Sequence, residues 1–207
     1  MAPGGGLLVT FDGPSGVGKT TVSGLVRDRL AVAGVRVVLT TTPSSSSIGE
    51  LARRGTSQFF GAALTCLVAA DRYHHDRMTV SGALERGLVV VCDRYVPSSL
   101  VLDFLDGVER DHVWSIYQCI RVPDVAFILV GDPVLCATRA RSRGRYSRFH
   151  ADNDDANRRE LAMYKDALSF LRRAGYPVHE HDIGSATADQ VADTLTSVIL
   201  SVRGGQS

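Results

Sequence analysis

At 207 residues, 44% hydrophobic and 22% charged, the chain can bury a sizeable core, which excludes disordered and fibrous classes. The formal net charge of +1 gives no global basic excess of the kind that marks a nucleic-acid surface. No segment approaches about 18 uninterrupted apolar residues, so no membrane span is expected. Cys66, Cys92, Cys119 and Cys136 are far apart and fall inside apolar runs. They read as reduced core thiols of a cytoplasmic protein, with no metal or disulfide framework.

Apolar, β-branched runs alternate with helix-period segments, the pattern of a parallel sheet covered on both faces. Five strands are expected, at residues 7–11, 35–39, 88–92, 125–130 and 177–180. Helices are expected at 20–33, 57–85, 98–106, 109–119, 133–141, 157–173 and 187–202, with Gly34 and Gly87 where left-handed C-caps belong. The whole chain, 1–207, reads as one α/β domain.

The first strand runs into Asp12-Gly13-Pro14-Ser15-Gly16-Val17-Gly18-Lys19-Thr20-Thr21, a complete phosphate-binding loop between a strand and a helix. Its glycines let successive N–H groups point into one cavity, and the helix adds its positive end. The P-loop NTPase fold follows, with residues 13–21 holding ATP. Lys19 is placed to reach the β- and γ-phosphates, and Thr20 to ligate Mg²⁺.

Ligands of open α/β sheets bind beyond the carboxyl ends of the strands. After the second strand come Thr40, Thr41, Thr42 and Pro43 and then Ser44 to Ser47, either a substrate loop or a solvated linker. After the third come Asp93, Arg94 and Tyr95, either a site carboxylate and guanidinium or a buried structural ion pair. Arg139, Arg141, Arg143, Arg145 and Arg148 fall in or beside a glycine-containing connection, at about 141–155, that reads as an arginine-rich lid over transferring phosphate. A solvated basic loop is the alternative. The acidic run from Asp152 to Asp155 and the shortage of aromatics argue against a nucleic-acid partner. His74 and His75 are adjacent on a helix, about 100° apart, so they read as surface or interface residues and not a metal pair. Arg72 lies on a helix flanking the cleft.

Together these blocks resemble the thymidylate kinase family of nucleoside monophosphate kinases. The family's phosphate loop is similar to residues 11–21, and its T-R-E-P-G-G-T-x-I-G-E loop to residues 40–50. Its F-A-A-D-R-x-x-H segment resembles residues 68–75, its S-D-R-Y-x-x-S-S-L segment residues 92–100, and its P-D strand and arginine-bearing lid residues 123–133 and 139–149. The resemblance implies that Arg94 holds the acceptor phosphate and that Asp93 acts near Mg²⁺ and the attacking oxygen. It also implies that Arg72 reaches the acceptor's base, that Arg143, Arg145 and Arg148 close on the phosphoryl group, and that two copies pair along the third helix.

The departures fall in the acceptor site. The family's stacking aromatic is Val68, the acidic residue of its phosphate loop is Ser15, the arginine and glutamate before its proline are Thr41 and Thr42, and Val101, Leu102 and Asp103 follow Ser98-Ser99-Leu100. Thr42, Pro43, Val68, Ser98, Ser99 and Asp103 are therefore expected around a small-molecule acceptor, dTMP or a modified nucleotide. A second reading is a kinase of a hydroxyl on a nucleoside-like or sugar-containing compound, with Asp12 or Asp93 as general base and Asp103 orienting the acceptor. A third is a nucleotide-binding protein without turnover.

Overall fold

The computed structural model describes residues 5–142, 148–149 and 153–205. Five parallel strands, β1 (Leu7–Asp12), β2 (Val37–Thr41), β3 (Val89–Asp93), β4 (Val125–Val130) and β5 (Val178–Asp182), form one sheet in the order β2-β3-β1-β4-β5. Around it lie α1 (Lys19–Val32), α2 (Ser47–Arg54), α3 (Ala62–His75), α4 (Ser81–Glu85), α5 (Val96–Leu105), α6 (Arg110–Ile116), α7 (Pro133–Ser142), α8 (Asp154–Arg173) and α9 (Ala188–Gly205).

The near-continuous apolar strands make sense once both faces are traced. Leu8, Val90, Ala126, Ile128 and Val130 point to a core shared with α5, α6 and α8. Leu7, Val9, Phe11, Val89, Val91 and Phe127 point to the opposite core, shared with α1 and α9. A side-chain period of two thus sends consecutive apolar residues into two different cores. Only the inner strands follow this rule throughout. The edge strands β2 and β5 are partly exposed, and β5 accordingly admits His179, Glu180 and Asp182.

The expected strands are all present, and Gly34 (φ 77°) and Gly87 (φ 71°) do terminate their helices in the left-handed region. Other expectations need correction. The helix expected at 57–85 begins at Ala62, and a π-helical turn, Asp76–Val80, separates α3 from α4. The serine run is no linker: Ser46 accepts a hydrogen bond from Gly49 N and N-caps α2, a helix the run of small polar residues had concealed. Cys92 and Cys136 are buried as expected, but Cys66 and Cys119 are exposed. His75 is buried, with Nε2 2.8 Å from Thr40 Oγ1, because it lies on the inner side of α3 while His74 faces solvent.

Two glycines test this packing in opposite directions. A Cβ on Gly49 of α2 would meet Ser44 O at 2.2 Å and Asp71 Oδ1 at 2.7 Å, whereas one on Gly24 of α1 would meet nothing within 4 Å. Gly49→Ala should therefore cost about 1–3 kcal/mol. Gly24→Ala should raise stability by about 0.5–1 kcal/mol through helix propensity alone, both read from urea midpoints.

Candidate active site

The phosphate loop connects β1 to α1, and its shape is forced by contacts a side chain cannot make. Gly13 (φ 141°) lies where a Cβ would meet Leu129 O at 2.3 Å, and Gly16 (φ 79°) where it would meet Cys136 O at 2.0 Å. Pro14, Ser15 and Val17 complete the buried turn, and Gly18 (φ 104°) leads into the first turn of α1. Lys19 folds back over the turn, its Nζ donating to the carbonyls of Gly13 (2.6 Å) and Pro14 (2.8 Å). Burial, and then the charge of Arg94, bring its ammonium down to about 7. Thr20 and Thr21 are exposed at the mouth.

One residue of this loop is held from far along the chain. Glu160 of α8, itself buried, accepts hydrogen bonds from Ser15 N (3.0 Å) and Ser15 Oγ (3.3 Å). The sequence reading missed it, although a signal was present. Asn157, Glu160, Tyr164, Ala167, Leu168 and Leu171 form one buried helical stripe, and a carboxylate on such a stripe needs a partner.

The chain after β3 forms the other wall. Asp93 Oδ2 accepts from Thr20 Oγ1 at 2.5 Å, and its Oδ1 is buried without a partner. Among the described residues no ion pair joins Asp93 to Arg94, so the structural-pair alternative fails. Arg94 is instead the non-glycine residue at φ 72°, its N–H donating to Phe11 O (2.8 Å) and its guanidinium directed to Ser98 Oγ (3.5 Å). A strained backbone that turns one guanidinium toward a cleft is typical of functional positions. Burial works against its charge, but Tyr164, Asp93 and Glu160 more than offset that and keep it protonated.

Asp12 corrects an expectation. It is fully buried, outside the cavity, and its Oδ1 accepts from Tyr95 N (2.9 Å), Ser98 N (3.0 Å) and Ser98 Oγ (2.6 Å). Burial raises its pKa, against the hydrogen bonds from Ser98 and Tyr95. Asp12 therefore positions the start of α5.

A cavity of ≈ 360 Å³ runs from Ser15 and Thr20 past Asp93 and Arg94 to a far end walled by Leu64, Val68, Leu102 and Asp103. Arg72 is pinned there with Nη1 on Ser99 Oγ (3.0 Å) and Nη2 on Thr42 Oγ1 (3.3 Å), its guanidinium 5.3 Å and 4.7 Å from the ring centroids of Tyr95 and Tyr117. Thr42 in turn donates to Arg94 O (2.7 Å) just before Pro43, whose peptide bond is cis. The serine loop closes one side: Asp71, fully buried, accepts from Ser44 N (2.6 Å), Ser44 Oγ (2.5 Å) and Ser46 Oγ (2.9 Å). Those hydroxyls serve the loop and not a ligand. Beyond the phosphate loop, a second cavity of ≈ 500 Å³ opens at the carboxyl ends of β4 and β5, lined by Gly131, Asp132, Asp182 and Gly184.

Arg143 and Arg145 lie outside the described residues. Arg148 is not over the phosphate loop: its guanidinium pairs with Asp106 Oδ2 (2.5 Å), donates to Phe59 O (2.8 Å) and Thr56 O, and rests 4.3 Å from the Phe60 ring. That anchoring brings Phe149 to the cavity wall, the one aromatic ring among its described lining residues.

The donor set fits Mg²⁺-ATP. A glycine cradle with no room for a Cβ at Gly13 or Gly16, an ammonium at its mouth, and a hydroxyl beside a carboxylate with a free buried oxygen are the groups that a polyphosphate and a hard cation require. Among the described residues no other cluster of histidine, cysteine and carboxylate side chains suits a metal. No described helix is long and apolar enough to cross a membrane.

Comparison with known proteins bears on what this arrangement is. A family model described as thymidylate kinase matches residues 11–173. The thymidylate kinase of Clavibacter sepedonicus is 37% identical over 191 residues, covering 83% of this chain and 89% of its own. A probable thymidylate kinase of Caldivirga maquilingensis is 30% identical over 196 residues and covers 93% of each chain. The fold is also that of a thymidylate kinase from Candida albicans, with a TM-score of 0.76 at 20% identity over 95% of this chain and 92% of that one. With the family model spanning residues 11–173 and relatives 30–37% identical over most of their length, the chain that carries this phosphate loop and cavity belongs to the thymidylate kinase family.

Proposed function

We propose that this ATP-dependent kinase phosphorylates a nucleoside 5′-monophosphate, dTMP being the acceptor its family points to, with the residues described above as the working groups. The observation that carries the reading is the single cavity that begins at the phosphate loop, passes Arg94 and ends at Arg72. Its ends are suited to an acceptor with a phosphate at one end and a hydrogen-bonding base at the other.

Mg²⁺-ATP supplies the γ-phosphoryl group and, through the cation, neutralises charge on its oxygens. The protein's part is positioning. Arg94 holds the acceptor phosphate, whose oxygen forms the new bond to phosphorus as the bond to the β-phosphate oxygen breaks. That oxygen is already anionic, so no general base is needed. Lys19 would exchange its two loop carbonyls for phosphate oxygens, Thr20 and Asp93 would hold the cation, and Glu160 keeps Ser15 and the loop in register. The second cavity adjoins the loop, since Gly131 is packed near Val17, and suits the donor's nucleoside. Of the two candidate bases for a hydroxyl acceptor, Asp12 lies outside the cavity with Oδ1 committed to α5, and Asp93 lines it with Oδ1 free. The Arg94 guanidinium on the same cavity wall favours an acceptor that carries a phosphate.

Lys19→Ala should lower kcat by about 10²–10³, the scale of removing one charge-stabilising donor, while the melting temperature stays near that of the wild type. A coupled ADP-release assay with dTMP checks it. Arg94→Ala should raise the acceptor KM at least tenfold with little change in the KM for ATP. Equal damage to both substrates would instead mark Arg94 as a support of the loop.

A further inference from the structure

One acidic side chain meets the phosphate loop from outside it. Residues 13–21 contain no aspartate or glutamate, yet Glu160 of α8, 2% exposed, takes Ser15 N and Ser15 Oγ on its two carboxylate oxygens. The buried stripe of α8 changes character to provide it. Its C-terminal part, Ala167, Leu168 and Leu171, is apolar and belongs to the core, while its N-terminal part is Asn157 and Glu160. An apolar residue at 160 would continue the stripe without desolvating a charge, so packing gives no reason for a carboxylate there.

The charges around it do. Arg94 opposes the Lys19 ammonium, second only to burial, while Asp93, Glu160 and Asp12 favour it. The same three carboxylates, behind Tyr164, favour the Arg94 guanidinium against its own burial. Tyr164 of α8 and Cys136 of α7 also feel the charge of Glu160. Of the three carboxylates, Asp93 is bonded to Thr20 and Asp12 to the start of α5. Glu160 is the one bonded to the glycine-rich turn itself, at a residue that also lines the acceptor cavity.

We propose that Glu160 is a positioning residue that serves as the resident counter-charge of the empty site, holding Ser15 and balancing Lys19 and Arg94 until a polyphosphate takes over that part. This rests on the reading of residues 13–21 as an ATP site and deepens it, by assigning a device that keeps two neighbouring cations in place with no anion bound. A polyphosphate brings its own negative charge to the same cations. Glu160 therefore stabilises the empty protein most, and it opposes the nucleotide once that is bound.

Glu160→Gln isolates the charge, because the amide can accept from Ser15 N and donate to Ser15 Oγ. Without nucleotide the variant should melt about 4 °C or more below the wild type. Saturating ADP should close at least half of that gap, since the ligand supplies the charge the variant lacks. Linkage then requires ADP to bind the variant about threefold or more tightly than the wild type, which calorimetry reads without turnover. The KM for ATP should fall in parallel, the opposite of what a slackened loop gives.

Moving the charge provides the second arm. Ser15→Asp alone sets two carboxylates face to face and should also melt below the wild type, whereas Ser15→Asp combined with Glu160→Gln should recover at least half of the nucleotide-free loss. An equal gap with and without ADP, with unchanged ADP affinity, would make Glu160 a support of the loop through hydrogen bonds alone and sink the proposal, leaving the proposed function intact. So would a Glu160→Gln variant that melts at or above the wild-type temperature without nucleotide. A wild type that neither ADP nor ATP stabilises would overturn the proposed function and this inference with it.

Discussion

The acceptor site depends on one buried carboxylate. Asp12 ends β1 and spends its Oδ1 on Tyr95 N, Ser98 N and Ser98 Oγ, binding the last residue of one strand to the first turn of the helix that follows its neighbour in the sheet. Since β1 also runs into the phosphate loop, this contact fixes the distance between the ATP side and α5. It holds the turn in which Arg94 adopts its positive φ, and it sets the rotation of α5 that brings Ser99, Leu102 and Asp103 to the cavity. The cost is a desolvated carboxylate with an unpartnered Oδ2. Parallel strands make the arrangement possible, because β1 and β3 end side by side, with Phe11 paired to Asp93.

The same logic explains how much of this was legible in the sequence. The phosphate loop could be read because backbone geometry demands glycine at fixed spacing, and the strands because both cores draw on consecutive apolar residues. Asp93, Arg94 and Arg72 could be placed since each lies within a few residues of a strand end or on an obvious helix. Glu160 was out of reach by any local rule, being 145 residues from Ser15, and only its place on a buried stripe marked it. The serine loop misled for a related reason. Four hydroxyl residues look solvated until Asp71, supplied by α3, collects three of their donors. Asp12 was recognised as important but misjudged in role, because a sequence does not reveal which way a strand-end side chain turns. Arg148 shows the converse: a cation expected over phosphate is anchored by Asp106 and the carbonyls of Thr56 and Phe59.

The site's cations are held by neutral groups. While Arg36 rests on the Arg86 carbonyl, several arginines nearer the surface pair with carboxylates, Arg29 with Asp189 and Asp193, Arg53 with Glu50, Arg121 with Asp76 and Arg148 with Asp106. Among the described residues, Lys19, Arg72 and Arg94 have no such partner within 4.0 Å. Lys19 rests on two carbonyls, Arg72 on two hydroxyls and two tyrosine rings, and Arg94 on the Ser98 hydroxyl. A carboxylate in direct contact would neutralise each charge and would have to be displaced before a phosphate could approach. Neutral groups fix the same atoms in place and leave the field intact, so the orientation is set by the fold and not by the ligand. The carboxylates of Asp93 and Glu160 stand one layer back, on Thr20 and Ser15, close enough to offset the cost of burying the cations without cancelling them. An arrangement of this kind has work to do only when polyanions enter from two sides, which is the physical content of a kinase whose donor and acceptor are both phosphorylated.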